Sequence, residues 1–306
     1  MCCFAGPVQS VTNTRIFASL SGTGTQFVAY QMRYKSEVPN AMILPIPAER
    51  GATEASIRFV DLSEYDRFFP DLNRGFPEIS RPPLNSRARP TAAAENAIEV
   101  HEVGDFVASF VPMMKDFERL DPQFVIDQEV WAKIPEYADY SFVVFQLKNL
   151  AGEPHPMAFE FSTRMPNTVF FPTVHIHDGE VHDVEEFDHE LYLQHVAYDK
   201  LASSTYSAKV DRATKCERSK FKASVFMNVE KAKGLIDPDL LVHRKKLVGR
   251  LNNRDTLLAT EGDLTRGSAY FFNPKVLLPV AAALLPLGWI IHRRNRLSYQ
   301  QRQTAR

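Results

Sequence analysis

Apolar and polar positions alternate over residues 14–21, and after the glycine-containing turn at 21–25 the alternation resumes over 26–35. There Phe27, Ala29 and Gln31 share one face and Val28, Tyr30 and Met32 the other. A period of two marks half-buried strands, so the chain opens as a β-meander. Residues 41–46 predict a third strand, closed by Pro45 and Pro47. Over 61–72 the period changes: Leu62, Tyr65, Phe68, Phe69 and Leu72 fall at helical spacing, with Asp61 or Ser63 as cap. The polar, proline-punctuated run 80–97 predicts a surface loop. Strand patterns return at 98–103, 106–111, 140–148, 155–162 and 168–177, with a short helical stretch at 112–120. Residues 227–251 have helical character, broken at Asp237-Pro238. The expected fold class is α+β: a mostly antiparallel sheet domain over 1–205, a basic, partly helical segment over 206–268, and a hydrophobic C-terminal part over 269–306.

Composition sharpens this in one respect. With 306 residues, 44% hydrophobic and 24% charged, the chain can bury a core, and 3 Cys exclude a disulfide scaffold. The net charge of −1, however, conceals a division. Residues 1–199 hold 15 Lys and Arg against 29 Asp and Glu, a net of −14, whereas residues 200–306 hold 21 against 8, a net of +13. A basic final third suggests an anionic surface as partner, unless it faces the acidic part of the same chain. Residues 209–254, with 13 basic against 5 acidic side chains, lack the interleaved aromatics of a nucleic-acid groove, so no nucleic acid is expected.

Val276 to Ile291 is an uncharged apolar run of 16 residues, followed by His292, Arg293, Arg294 and Arg296. It is slightly shorter than the roughly 17–25 residues of a spanning helix, and Trp289 lies where interfacial aromatics gather. A single-pass transmembrane helix over 276–291 is expected, with 209–254 against anionic head groups. The alternative is a buried or interfacial C-terminal helix. The start, MCCFAGPVQSVTNTR, has no signal-peptide pattern, so the remainder is expected in the cytoplasm.

The order of motifs resembles that of an uncharacterised bacterial domain-of-unknown-function family. The residues that carry the likeness are the cysteine-containing start, Leu44-Pro45-Ile46-Pro47, Val103-Gly104, Tyr137 followed by the strand at 141–147, and the strand at 156–161. Met1-Cys2-Cys3-Phe4 and the run from Phe170 to Gly179 are similar to a narrower bacterial group. The resemblance spans roughly residues 2–195. It implies a shared fold and a C-terminal membrane anchor, and carries over no catalytic residue.

Two places hold candidate chemistry. The stretch from Phe170 to His195 contains five of the nine histidines. Asp178-Gly179 predicts a two-residue hairpin turn, which places His175, His177, Glu180 and His182 on one face. Three imidazoles and a carboxylate suit a divalent metal such as zinc; the plain alternative is a solvated face over an apolar one. Asp188, His189 and His195 are expected to begin a following helix and to support that site. The second place is Cys2. Removal of Met1 would leave a thiol beside a free α-amine, the arrangement of an N-terminal nucleophile. Cys216, between Lys215 and Glu217-Arg218, is either an activated surface thiol or incidental. No phosphate loop, dinucleotide fingerprint, nucleophile elbow or His-Glu-x-x-His motif occurs. Two function classes follow: a membrane-associated binding or structural protein, and an enzyme using Cys2 or a metal at the histidines.

Overall fold

The computed structural model describes residues 3–76, 101–202, 209–262 and 264. The chain begins with β1 (Cys3–Phe4), β2 (Ser10–Leu20), β3 (Thr25–Lys35), β4 (Asn40–Ile46) and β5 (Ile57–Asp61). Helix α1 (Phe68–Arg74) precedes β6 (His101–Val103) and β7 (Phe106–Val111); 3-10 turns and α2 (Gln128–Trp131) then lead to β8 (Ser141–Leu147). There follow β9 (Ala151–Gly152), β10 (Met157–Ser162), β11 (Thr168–Phe171), β12 (Val184–Gln194) and α3 (Val196–Leu201). Strands β13 (Glu217–Arg218), β14 (His243–Asn252) and β15 (Thr256–Ala259) complete the order. The structure is sheet-rich with short helices.

One sheet runs β1-β4-β8-β7-β6, a larger one β13-β14-β12-β2-β3-β10-β5, with β9 on β3; β11 and β15 pair separately. Their facing sides form one core, with Ile16, Val28, Tyr30, Leu44, Phe106, Phe145 and Phe159 among its members. The outer side of the larger sheet is covered by α1 and the turns at 223–242, through Phe68, Phe69, Leu72, Phe226 and Leu235. The outer side of the smaller sheet carries Phe117, Trp131, Tyr137 and Phe142 from the 3-10 region and β8. Each sheet is therefore buried on both faces, which is why β4 and β8 are apolar at nearly every position rather than alternating.

The meander forms as its alternation predicts. Two regions differ from expectation. Leu62, Tyr65, Phe68, Phe69 and Leu72 are all buried together, yet only Phe68–Arg74 is helical. Turns closed by Tyr65 N on Leu62 O (2.8 Å) and Phe68 N on Tyr65 O (3.0 Å) deliver the first members. Residues 227–251 are turns followed by a strand, not a helix: β14 alternates in exposure and pairs antiparallel with β12 along ten residues. Its basic residues meet acidic ones, Lys246 against Glu190 (3.3 Å) and Arg250 in register with Glu186. The basic side chains Lys246 and Arg250 of β14 are thus matched within the chain, cross-strand pairs being favourable when opposite. Likewise β12 places Phe187, His189, Leu191 and Leu193 inward, so Asp188 and His189 lie in a strand; only His195 caps a helix, accepting from Ala197 N (3.2 Å).

Gly104, at φ +54°, turns β6 into β7 with the His155 ring against it; an added Cβ would lie 2.3 Å from its Cε1. His155 is itself fixed, stacked on Phe106 at 4.6 Å and bonded to Asp105. Gly104→Ala should therefore lose roughly 2 kcal/mol or more in urea unfolding. Gly24→Ala, also at positive φ but with open space around it, should lose about 1 kcal/mol.

Candidate functional site

The histidine-rich stretch does not fold as a hairpin. After β11 the chain continues without regular structure apart from a bridge at Ile176, bends at Asp178–Gly179 with Gly179 at φ +82°, and enters β12, whose partners are β2 and β14. What holds the stretch is the β14–β15 turn. Asn253 Oδ1 accepts from His175 N (2.7 Å), and its Nδ2 donates to His175 O (2.9 Å) and His182 O (3.0 Å). Asp255 Oδ1 accepts from Thr173 N (2.8 Å) and Val174 N (3.2 Å), and its Oδ2 accepts from Tyr137 OH (2.7 Å). Sequence reasoning missed Asn253 and Asp255; the run Asn252-Asn253-Arg254-Asp255 is a turn signal.

The four proposed metal ligands are separated by this course. His175 is fully buried, stacked between His177 (5.2 Å) and His189 (5.1 Å), with Phe187 4.1 Å away. Glu180 and His182 are exposed and pair instead with Lys133 and with Asp178 Oδ2 (3.0 Å). Among the described residues no group of three or more His, Cys, Asp or Glu could hold a metal ion, and the four expected ligands do not come together. Parallel, stacked imidazoles do not converge their nitrogens on one point as a tetrahedral site requires.

The start of the chain meets this column. Cys3 bridges Ile176, Phe4 N donates to Ile176 O (2.9 Å), and Val8 N donates to His177 O (3.0 Å). Cys3 is buried, its thiol 3.7 Å from Val174 O. The proposed nucleophile, Cys2, lies outside the described residues. Cys216 is not a surface thiol: it is 1% exposed, and burial pushes it up to about 12.

Burial fixes the charge states around the column. It lowers the pKa of His175, with His189 and His177 adding repulsion, and it lowers His177 to about 4. Burial drives Asp255 the other way, up to about 7, against the bonds from Tyr137, Thr173 and Val174. Tyr137 is raised by burial and by Asp255 beside it.

A separate cleft of about 410 Å³ opens between β5, the last strand of the larger sheet, and β7 of the smaller one. Ile57 and Phe59 of β5 form one wall and Ala108 and Phe110 of β7 the other, with Leu120 below. Arg58 is held by Glu160 through two bonds of 2.7 Å, and Arg119 meets Glu54 at 2.6 Å across the mouth. Both members of that second pair are well exposed, and such pairs are worth about 0–1 kcal/mol.

No protein-family model matches the chain. Among solved structures it is similar to baculovirus P35, at 15% identity and a TM-score of 0.47, covering 85% of this chain and 100% of that one. A mutated baculovirus P35 after caspase cleavage is similar at 14% identity and a TM-score of 0.42, over 81% of this chain and 99% of that one. Baculovirus P35 in complex with caspase-8 is similar at 14% identity and a TM-score of 0.40, over 81% and 96%. The expectations of a bacterial origin and of membrane association find no support in these comparisons, and no described helix is long and apolar enough to cross a membrane. The apolar run 276–291 lies outside the described residues, and the basic residues expected against head groups include Lys246 and Arg244, which pair with Glu190 and Glu217.

Two pH predictions follow from the column and its clamp. A histidine held neutral in the fold but free to protonate when unfolded near 6.5 costs stability as pH falls. His177 alone should remove about 2 kcal/mol between pH 7 and pH 5, and His177→Gln should flatten that slope in urea titrations. Asp255, raised in the fold, contributes stability that is full below about 4 and lost as pH rises through 7. The stability of Asp255→Asn relative to the parent should therefore improve between pH 5 and pH 8; an unchanged difference would refute the buried-carboxyl account.

Proposed function

We propose that the protein has a non-catalytic binding role, exercised on an extended segment of a protein partner that enters the cleft between β5 and β7. The observation that supports this reading is the open cleft between β5, the last strand of the larger sheet, and β7 of the smaller one. Strand β5 ends the larger sheet, and its Ile57 and Phe59 side chains are only half-buried against the shared core. A cleft of this size, with Ile57, Phe59, Phe110 and Leu120 set among Glu54, Arg58, Asp116 and Arg119, offers both apolar and polar groups to an extended segment. The thiols of Cys3 and Cys216 are buried, and His175 and His177 are held neutral by burial, which suits a packed scaffold better than nucleophilic chemistry at these groups.

Peptides selected from a displayed random library on the immobilised full chain should bind through this cleft. Ile57→Asp should weaken them at least about tenfold, or roughly 1.4 kcal/mol, while Val248→Asp on the exposed face of β14 should leave them unchanged. Peptides indifferent to Ile57→Asp, or a selection that returns none, would sink this reading.

A further inference from the structure

We infer that the outer edge of β14 takes up an extended acidic segment of a protein partner as one further strand of the larger sheet. Its carboxylates lie opposite Lys246 and Arg250, and an apolar side chain lies opposite Val248. This surface is separate from the cleft, and binding at one does not depend on binding at the other.

The direction of the β14 backbone is set at both of its ends. Asn253 N donates to Asp183 O (2.9 Å), so the odd-numbered residues bond toward β12. Ser219 N donates to Val242 O (2.7 Å), so the even-numbered residues turn the other way. The two ends agree because the register between β12 and β14 runs without a shift from Asn252 to His243. By the alternation of an antiparallel ladder, Lys246, Val248, Arg250 and Asn252 direct their N–H and C=O outward. Strand β13 reaches only as far as Arg244, and among the described strands none follows it along this edge. A periodic run of outward backbone groups is what an added strand recognises, with alternate side chains read by their neighbours.

Those neighbours set the occupant's chemistry. The side chains of the same four residues are exposed, and Val248 is 69% exposed between Lys246 and Arg250. Each of the two cations has an acidic residue of β12 on one side only: Glu190 at 3.3 Å from Lys246, and Glu186 in register with Arg250. Directly opposed side chains on neighbouring strands lie about 4.5–5.5 Å apart, so carboxylates of an added strand would meet these cations from the open side. They would stand two strand spacings, roughly 10 Å, from the acids of β12. The basic row would then lie between two acidic ones. On the other face Leu247 and Leu251 are half-buried, and apolar residues between the carboxylates would cover them.

A second copy is a poorer occupant. With two β14 edges antiparallel about Val248, Lys246 faces Arg250 of the other copy, and like charges directly opposite are unfavourable. A register shifted to relieve this still leaves them diagonal neighbours.

The test titrates the full chain with a synthetic peptide centred on Glu-Val-Val-Val-Glu. It should bind at least about tenfold more tightly than Lys-Val-Val-Val-Lys or the respaced Glu-Glu-Val-Val-Val, and equally well to the Ile57→Asp chain. On Arg250→Glu the preference between the acidic and basic peptides should narrow at least about tenfold. Amide exchange on the unaltered chain, which does not depend on a variant folding, should show Lys246, Val248 and Arg250 slowed at least about tenfold by the acidic peptide, with Leu247 and Gly249 little changed. Absence of binding overturns the inference. So does equal binding of the respaced peptide, which would mean attraction to any anion, or binding that leaves the three amides unchanged. Protection of those amides that rises with protein concentration in the absence of peptide overturns it in favour of a second copy. With the acidic peptide in excess, the library selection described for the cleft reads the cleft alone.

Discussion

The fold depends on β12 being hydrogen-bonded along both edges. On one side it lies parallel to β2, from Glu190 beside Arg15 to Gln194 beside Ser19; on the other it runs antiparallel to β14. All other pairings between the named strands are antiparallel. Remove β12 and the N-terminal meander has no connection through the sheet to the C-terminal strands. The same strand carries His189 and Phe187 into the imidazole column and carries Glu186 and Glu190 to the basic residues of β14. Scaffold, column and charge balance are thus three consequences of one doubly paired strand.

Arg244 reinforces this arrangement from the side. Its Nε donates to Glu217 of β13 (2.8 Å), Nη1 donates to Asn73 of α1 (2.6 Å), and the guanidinium lies 4.3 Å from the Phe76 ring centre. A buried guanidinium is tolerable when its donors are placed and a carboxylate is near, and here the partners come from separate elements. The clamp by Asn253 and Asp255 performs a similar service at the other end of β14. Both keep segments without regular structure in place by bonding their backbone groups, which would otherwise be buried without partners.

Much of the sheet was legible because alternation is local. Strands β3, β4, β7 and β8 lie within a residue of their expected bounds, since each has a steady period or a continuous apolar run, while β2 starts four residues before its expected 14. The failures share a cause: a partner distant in sequence decided the outcome. Asp178-Gly179 has the composition of a hairpin turn, but β12 pairs with β2 and β14, so the residues expected face to face never meet. His175 went into the interior, His182 to the surface. Residues 243–252 carry basic side chains on both faces, which obscures a period of two until the acidic strand opposite is known. The division of charge was visible in the sequence; that its halves meet inside one sheet was not. The cleft could not be foreseen at all, because its walls belong to different sheets.

The pairing of β12 with β2 also has a meaning in time. Ala18 lies beside Leu193, so the strand that completes the N-terminal half of the sheet is among the later parts of the chain to be synthesised. Until then β2 presents an apolar, hydrogen-bonding margin to whatever is nearby, and closing so long a loop is slow. During translation the meander must therefore persist as an unfinished sheet. The vulnerability of this protein to misassembly is greatest in that interval, between emergence of β3 and arrival of β12, and is set by gene order rather than by the stability of the finished molecule.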